Sequence, residues 1–301
     1  MSELLSATSL SKRYGGLTAL DGLSLQVEEG SVYGFIGPNG AGKTTAIKIL
    51  MNIIQPSAGR TSVLGVDSRR IGPAQFERVG YVSENQETPD WMTVGYLLRY
   101  LKPFYPTWDD ARENELVKLF GLPRDRKLSK LSRGMKMKTM LVSSLAYRPR
   151  LLVLDEPFGG LDAVAREDVV DALIDSAAET TIFISSHDLA DIETFASHIG
   201  YIDNGRLLLS EEMSALTARF REVEVTVEAA PPALPPQQWP SHWLRPQSAG
   251  TVVRFIDTRF DESETRRAVQ ETFGGVLHMA ANPMPLRGIF VALARHAARA
   301  A

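Results

Sequence analysis

Between Gly37 and Thr45 the chain reads GPNGAGKTT, which satisfies every position of the pattern G-x-x-x-x-G-K-S/T. Those residue types suit one chemistry, the wrapping of a triphosphate. Gly37, Gly40 and Gly42 allow the backbone to turn tightly enough for successive N–H groups to face phosphate oxygens. Lys43 supplies a point charge for the outer phosphates, and Thr44 a hydroxyl for Mg²⁺. A helix expected from this point adds the positive end of its dipole. Ser31 to Gly37, SVYGFIG, reads as a buried strand feeding the loop, and that context distinguishes the motif from a Gly-rich turn before an ordinary helix. A nucleoside triphosphate site is therefore expected here.

A second run, LLVLDEP from Leu151 to Pro157, is an apolar strand ending in two carboxylates. Asp155 suits a metal held through water, and Glu156 suits the orientation and deprotonation of an attacking water. An acidic pair after a strand can also merely begin a solvated turn, but the phosphate loop upstream favours chemistry. ISSH, Ile184 to His187, brings a histidine to the end of another buried strand. Open parallel sheets bind ligands outside the carboxyl ends of their strands, so His187 is placed to touch a γ-phosphate.

These groups need a scaffold that gathers strand ends. Leu4 to Gln26 contains two extended stretches joined by Gly-rich turns, which predicts an antiparallel portion before the loop. LLVLDE and TTIFISS flank a segment, Ala163 to Ala178, with apolar residues at helical spacing; strand, helix, strand argues for a parallel sheet wrapped by helices. HIGYID and RLLLS flank Asn204-Gly205, a preferred hairpin turn. From about 92 to 145 no buried strand is evident, and amphipathic stretches such as Asp109 to Phe120 predict a helical insertion. Its aromatics, Tyr96, Tyr100, Phe104, Tyr105 and Trp108, are expected in the core ahead of a partner contact.

The texture changes after Phe220. EVEVTVE and TVVRFI read as strands around a stiff loop, PPALPPQQWP, and Asp261 with Glu264 has the spacing of a helix start that Gly274-Gly275 would end. A short strand near Val276 to Met279 and a final helix from about Leu286 complete a small α+β appendage. The expected division is 1–219 for the nucleotide-binding domain and 220–301 for an accessory domain.

Composition bounds the partners. With 301 residues, 44% of them hydrophobic, the chain can bury one large core and a second small one. The formal net charge of −3, from 33 basic and 36 acidic residues, provides no global field toward nucleic acid, and no nucleic-acid partner is expected. Absent cysteine rules out thiolate metal sites, and the five histidines show no ligand spacing. No apolar run approaches roughly 18 residues, and Met1-Ser2-Glu3 does not open a secretory signal, so a cytoplasmic chain that reaches any membrane through a partner is expected.

Taken in order, GPNGAGKTT, LSRGM (Leu131 to Met135), LLVLDEP, GGLD (Gly159 to Asp162) and ISSH resemble the nucleotide-binding subunit of ATP-binding cassette (ABC) transporters, over about residues 4 to 215. The resemblance implies an α/β fold: a P-loop NTPase cassette with an antiparallel β subdomain and a helical insertion, here carrying a small C-terminal α+β domain. It implies ATP and Mg²⁺ as ligands and an integral membrane permease as partner. It also implies a second cassette, a copy or a relative, docked head to tail so that each ATP lies between one phosphate loop and the other signature.

Carried over by position, the resemblance stacks Tyr14 on adenine. Gly37, Pro38, Asn39 and Gly40, followed by Ala41, Gly42 and Lys43, would cradle the phosphates. Thr44 would ligate Mg²⁺ with Thr45 alongside and Asp155 in support, Glu156 would be the catalytic base, and His187 would sense the γ-phosphate. Ser132 and Gly134 would touch the partner's nucleotide, and Asp162 would communicate across the dimer.

Two departures stand out. The signature has Arg133 where the family usually has glycine and Met135 where it has glutamine; Arg133 is expected to point aside or to add charge beside the phosphate. In YVSEN the family's usual glutamine, which links Mg²⁺ to the membrane subunit, is replaced by Glu84, with Gln86 close by. These features, with FYPTWD and PMPLRGIFVAL, resemble the ATPase subunits of bacterial exporters of drugs, antimicrobial peptides or polysaccharides, whose permeases are separate chains. Export is favoured over import. A soluble cassette acting on ribosomes or DNA is the alternative, although the chain has neither two ATPase units nor long coiled coils. A P-loop kinase would leave LSRGM and GGLD unexplained.

Overall fold

The computed structural model describes residues 3–84, 86–229 and 239–300, and the chain divides at Ser210/Glu211 into two compact units. The first opens with β1 (Glu3–Tyr14) and β2 (Leu17–Glu28), paired antiparallel. Leu23, Leu25 and Val27 turn inward while Ser24 and Gln26 face out, the period-two pattern of a sheet covered on one side. β3 (Val32–Ile36), buried at every position, runs into the phosphate loop, and α1 (Lys43–Leu50) follows it. β4 (Ala58–Val63) and β5 (Val66–Asp67) complete a four-stranded sheet in the order β2-β1-β4-β5. A single turn, α2 (Pro73–Phe76), precedes β6 (Val79–Ser83).

The next elements are α3 (Val94–Leu101), α4 (Asp110–Leu119) and α5 (Arg133–Leu145), as the sequence predicts for this stretch. Each begins on a side-chain cap: Thr93 accepts from Tyr96 N–H (3.2 Å), Asp109 from Ala111 N–H (2.9 Å) and Arg112 N–H (3.1 Å), and Ser132 from Met135 N–H (3.2 Å). β7 (Leu151–Asp155), α6 (Ala163–Ser176) and β8 (Thr181–Ser186) form the expected strand, helix, strand unit. β9 (His198–Asp203) and β10 (Arg206–Glu212) close it through Asn204-Gly205, both at positive φ (47° and 77°) as a tight hairpin requires.

The six-stranded sheet has the order β10-β9-β3-β8-β7-β6, and its neighbours from β9 to β6 are parallel. Register decides what meets at its edge. Ile36 pairs with Ser186, Asp155 with Ser185, and Ser83 with Asp155, so four strands end at one level. Tyr33 and Phe35 pack on Phe183 with ring centroids 5.5 and 5.4 Å apart, fixing β3 against β8.

The aromatic residues of the helical region depart from the core placement that composition suggests. Tyr105 stacks on Tyr147 at 3.8 Å, and Trp108 donates its indole N–H to Glu113 at 2.9 Å. Tyr96, Tyr100 and Phe104, in contrast, are 40%, 51% and 59% exposed. Val94, Leu97 and Leu98 take the inward face of α3, so residues at positions 96, 100 and 104, spaced by four, line the opposite side.

The second unit contains α7 (Met213–Arg219), β11 (Arg221–Val227), β12 (Trp243–Ala249), β13 (Val252–Asp257), α8 (Glu262–Phe273), β14 (Val276–Pro283) and α9 (Leu286–Ala300). Its sheet runs β12-β13-β11-β14, with Trp243 stacked on Phe255 at 4.0 Å among Val223, Val225, Val253 and Val269. Asp261 caps α8, accepting from Ser263 and Glu264 N–H at 3.0 Å each, and Gly274 ends it at φ 61°. α7 belongs to this unit: Arg219 bonds Glu211 and the Thr258 carbonyl. β12 has no sequence signal strong enough to predict it, because Pro246 breaks the pattern; Pro is tolerated there because β12 is an edge strand. The stiff loop read at Pro231 to Pro240 lies outside the described residues as far as Gln238.

Candidate functional site

The phosphate loop is shaped by backbone that only some of its residues could adopt. Gly40 and Gly42 lie at φ 81° and 108°, the left-handed region that suits glycine. A Cβ on Gly42 would also stand 2.6 Å from the Ala19 carbonyl oxygen and 2.8 Å from Leu20 Cδ2. Gly37 serves differently from the tight turn the sequence suggests. It has no positive φ; a Cβ there would stand 2.9 Å from Ile202 Cγ2, so its smallness lets the loop lie on β9. Pro38 and Asn39 form the exposed crest, while Ala41 is buried and accepts at its carbonyl from Gly205 N–H at 3.0 Å. The β9–β10 turn thus buttresses the loop.

Lys43 begins α1 with its ammonium buried, donating to the Gly37 and Pro38 carbonyls at 2.6 and 3.2 Å. It also pairs with Glu156 Oε1 at 3.0 Å. The other oxygen of Glu156 meets His187 Nδ1 at 2.7 Å and accepts from His187 N–H at 3.2 Å. Glu156 sits at φ 54°, a sparsely populated conformation for a residue with a Cβ, which the sharp exit from β7 imposes. One carboxylate therefore bridges the loop lysine and the strand-end histidine, three groups that lie far apart in sequence.

Beside them Asp155 is almost fully buried and accepts from Thr44 Oγ1 at 3.1 Å and Ser185 Oγ at 2.8 Å. Burial raises its pKa above the ordinary carboxylate range, an effect that the Ser185 and Thr44 bonds and the Lys43 charge only partly offset. Ser185, which sequence reasoning passed over, is wholly buried and also accepts from Glu156 N–H at 3.1 Å. The signal available for it was its position one strand over from Asp155 at the same level. Among the described residues no group of three His, Asp or Glu side chains could hold a metal alone. A Thr44 hydroxyl and one carboxylate instead fit Mg²⁺, which takes few protein oxygens and relies on water and phosphate for the rest.

A further layer fixes the histidine's loop. Ser186 Oγ donates to Asp191 Oδ2 at 2.7 Å, and Arg166 of α6 places Nη1 2.8 Å from Asp191 Oδ1 as an ion pair without hydrogen-bond alignment.

The remaining expected site residues lie at the ends of β1, α1, α5 and α6. Thr45 follows Thr44 in the first turn of α1. Ser132 and Gly134 lie at the N-terminus of α5, where a Cβ on Gly134 would meet Leu161 and Ala165 at ordinary distances of 3.4 and 3.5 Å. Asp162 caps α6, accepting from Ala165 N–H at 2.8 Å. Tyr14 is exposed at the end of β1 with the Lys12 ammonium 4.9 Å from its ring centroid. Arg133, beside Ser132, bonds Glu84.

The family model described as ABC transporter matches residues 20–159. The chain is 33% identical over 227 residues to the ABC transporter ATP-binding protein YtrB of Bacillus subtilis (strain 168), covering 75% of this chain and 77% of that protein. It is 33% identical over 226 residues to the bacitracin transport ATP-binding protein BcrA of Bacillus licheniformis, covering 74% of each. A solved structure of the ATP-binding subunit of an ABC transporter superposes with a TM-score of 0.65 at 26% identity, over 71% of this chain and 92% of that one.

Proposed function

The chain belongs to the ATP-binding subunits of ABC transporters, ATPases that bind ATP with Mg²⁺, and from that premise we propose that it drives a separate membrane permease in the direction of export. The observation that carries the ATPase part of this reading is the single carboxylate of Glu156 held between Lys43 and His187 beside the Thr44–Asp155 pair.

The roles follow from geometry and chemistry. Gly37 to Lys43 present backbone N–H groups and an ammonium to the phosphates, and Tyr14 offers its exposed ring to adenine. Thr44 and Asp155 would hold Mg²⁺, which would supply positive charge to stabilise the outer phosphates. Glu156 takes the proton of the attacking water, and His187 keeps that carboxylate aimed while reaching for the γ-phosphate. Ser132, Gly134 and the N-terminal dipole of α5 serve a nucleotide bound by a second cassette, and Asp162 faces that partner.

Among the described residues no helix is long and apolar enough to cross a membrane. A permease therefore supplies the membrane path in this proposal, and the cassette sits at the inner face of the membrane through it. The exposed stripe of Tyr96, Tyr100 and Phe104 provides apolar surface for that contact. The relation to a bacitracin transport protein and the motif features shared with drug and peptide exporters support export.

The test is recovery of tagged Glu156→Gln protein from gently solubilised membranes with ATP present, with mass spectrometry of what accompanies it. Recovery of a polytopic membrane protein is expected. Recovery only from the soluble fraction, with ribosomal or DNA-associated proteins, would replace the permease reading with a cassette that works away from membranes.

A further inference from the structure

Arg133 and Glu84, the two residues that depart from the family's motifs, meet in space. They are 49 residues apart, and Nη2 of Arg133 bonds Oε1 of Glu84. The turn beneath them is made of two glycines. A Cβ on Gly159 would stand 2.6 Å from Glu84 Cδ, and one on Gly160, itself at φ 68°, would stand 2.8 Å from Arg133 Nη1 and 3.0 Å from its Cδ. The ion pair occupies the volume that side chains at these positions would fill.

Each end of the pair is tied to the site. Glu84 N–H donates to the Asp155 carbonyl at 3.0 Å, one backbone bond from the carboxylate that accepts from Thr44. Arg133 opens α5 directly after Ser132. The glycine turn starts from Glu156, whose carbonyl accepts from Gly159 N–H at 3.2 Å. Three segments therefore converge on one charge pair: the end of β6, the start of α5 and the turn between Glu156 and α6.

Charge explains why these two residues belong together. An unpaired Glu84 would add a third carboxylate to the segments that carry Asp155 and Glu156, where a triphosphate must bind, and like charges oppose binding. Arg133 cancels that charge where it arises. Its guanidinium is planar and presents a fixed fork of N–H donors, which suits it to hold the carboxylate across the turn.

We propose that Arg133 and Glu84 are a positioning pair: the arginine draws the Glu84 carboxylate over the Gly159-Gly160 turn and away from the phosphates, and so couples the Asp155 end of the site to the start of α5. This rests on the assignment of the triphosphate site above. Neither residue is a catalytic residue in this proposal; both act through the charge they cancel and the segments they hold.

The experiment measures binding of a fluorescent ATP analogue to the purified full chain, with and without Mg²⁺, for the wild type, Arg133→Ala, Glu84→Gln and the double variant. Arg133→Ala is expected to weaken binding about 3- to 10-fold by freeing one partly exposed carboxylate. The loss should be larger for metal-free ATP, which carries more charge, than for MgATP. Adding Glu84→Gln to Arg133→Ala should restore binding to within about twofold of wild type, as removal of the charge predicts. A merely structural arginine would show neither the charge dependence nor the rescue. Equal affinities for Arg133→Ala and the double variant would overturn the proposal. If Arg133→Ala does not fold, Arg133→Lys, which keeps the charge, serves instead: near-normal binding supports the pair, and a loss that Glu84→Gln leaves uncorrected overturns it. Failure of the wild-type chain to bind either form of the analogue would identify the site assignment as the error.

Discussion

Replacing Glu156 with glutamine separates two things its carboxylate does. As a general base it contributes about 10²- to 10⁴-fold to turnover, or about 2.7 to 5.4 kcal/mol, and glutamine cannot accept the proton. In the structure the same group also restrains the lysine that must greet the phosphates. Lys43 and Glu156 are only 5% and 15% exposed, so solvent screens their 3.0 Å contact little. Glutamine can still accept from the Lys43 ammonium, but the ion–ion attraction is gone, and its loss should release Lys43 by about 1 to 1.5 kcal/mol, part of the about 1.5 to 3 kcal/mol that a bond between charged groups is worth. That corresponds to about 5- to 13-fold tighter ATP binding. The Gly37 and Pro38 carbonyls still hold the ammonium, which keeps the loop folded in the variant. Steady-state phosphate release gives turnover, and titration calorimetry with ATP gives affinity. Near-normal hydrolysis would sink the assignment of Glu156, while weaker nucleotide binding would refute the argument that this pair restrains Lys43.

Asp155→Asn should raise the melting temperature of the nucleotide-free chain at pH 7 while abolishing the extra stabilisation that Mg²⁺ gives with ATP. The sign follows from burial: a carboxylate whose folded pKa is raised contributes stability present below its ordinary pKa and lost as pH rises through the folded value. The advantage of asparagine should therefore shrink on acidification into the ordinary carboxylate range, and melts that show no such convergence would contradict it. Gly42→Ala should cost about 2 to 6 kcal/mol, combining strained backbone with the close approach to Ala19 and Leu20, and should abolish nucleotide binding. Gly40→Ala has nothing within 4 Å of its Cβ and should cost only about 1 to 2 kcal/mol for its positive φ, a contrast that chemical denaturation can measure. Tyr100→Ser with Phe104→Ser should leave melting temperature and the isolated chain's hydrolysis unchanged and reduce co-purification of the permease; undiminished co-purification would remove this stripe from the contact.

Legibility in the sequence followed how many roles each residue has to fill. The strands β3, β7 and β8 are buried on both faces, so their sequences are nearly pure apolar runs and could be read without context. The phosphate loop was legible because the left-handed backbone at Gly40 and Gly42 allows little else. Positions that depend on a neighbour from another strand were not. The importance of Ser185 lies in register, since a serine before a histidine gives no sign that it faces Asp155 across the sheet. Gly37 looked like part of the turn because its true constraint, Ile202, lies far along the chain. The aromatics of α3 were misplaced because residue type was weighed without helical phase. Once Val94, Leu97 and Leu98 define the buried face, Tyr96 and Tyr100 have to point the other way.

The same distinction explains the two motif departures. Read along the chain, Arg133 is left either to point aside or to add charge beside the phosphate, and Glu84 stands where the family's metal-linked glutamine usually does. Spacing along the chain could not say whether the arginine turned toward the phosphate or aside, because that depends on what stands opposite it. The fold places β6 beside β7 and brings the start of α5 to the turn after Glu156, so the opposite charges meet over two glycines. Substitutions that weaken a motif read in one dimension therefore compensate each other in three, and the cost of either becomes measurable only when its partner is removed.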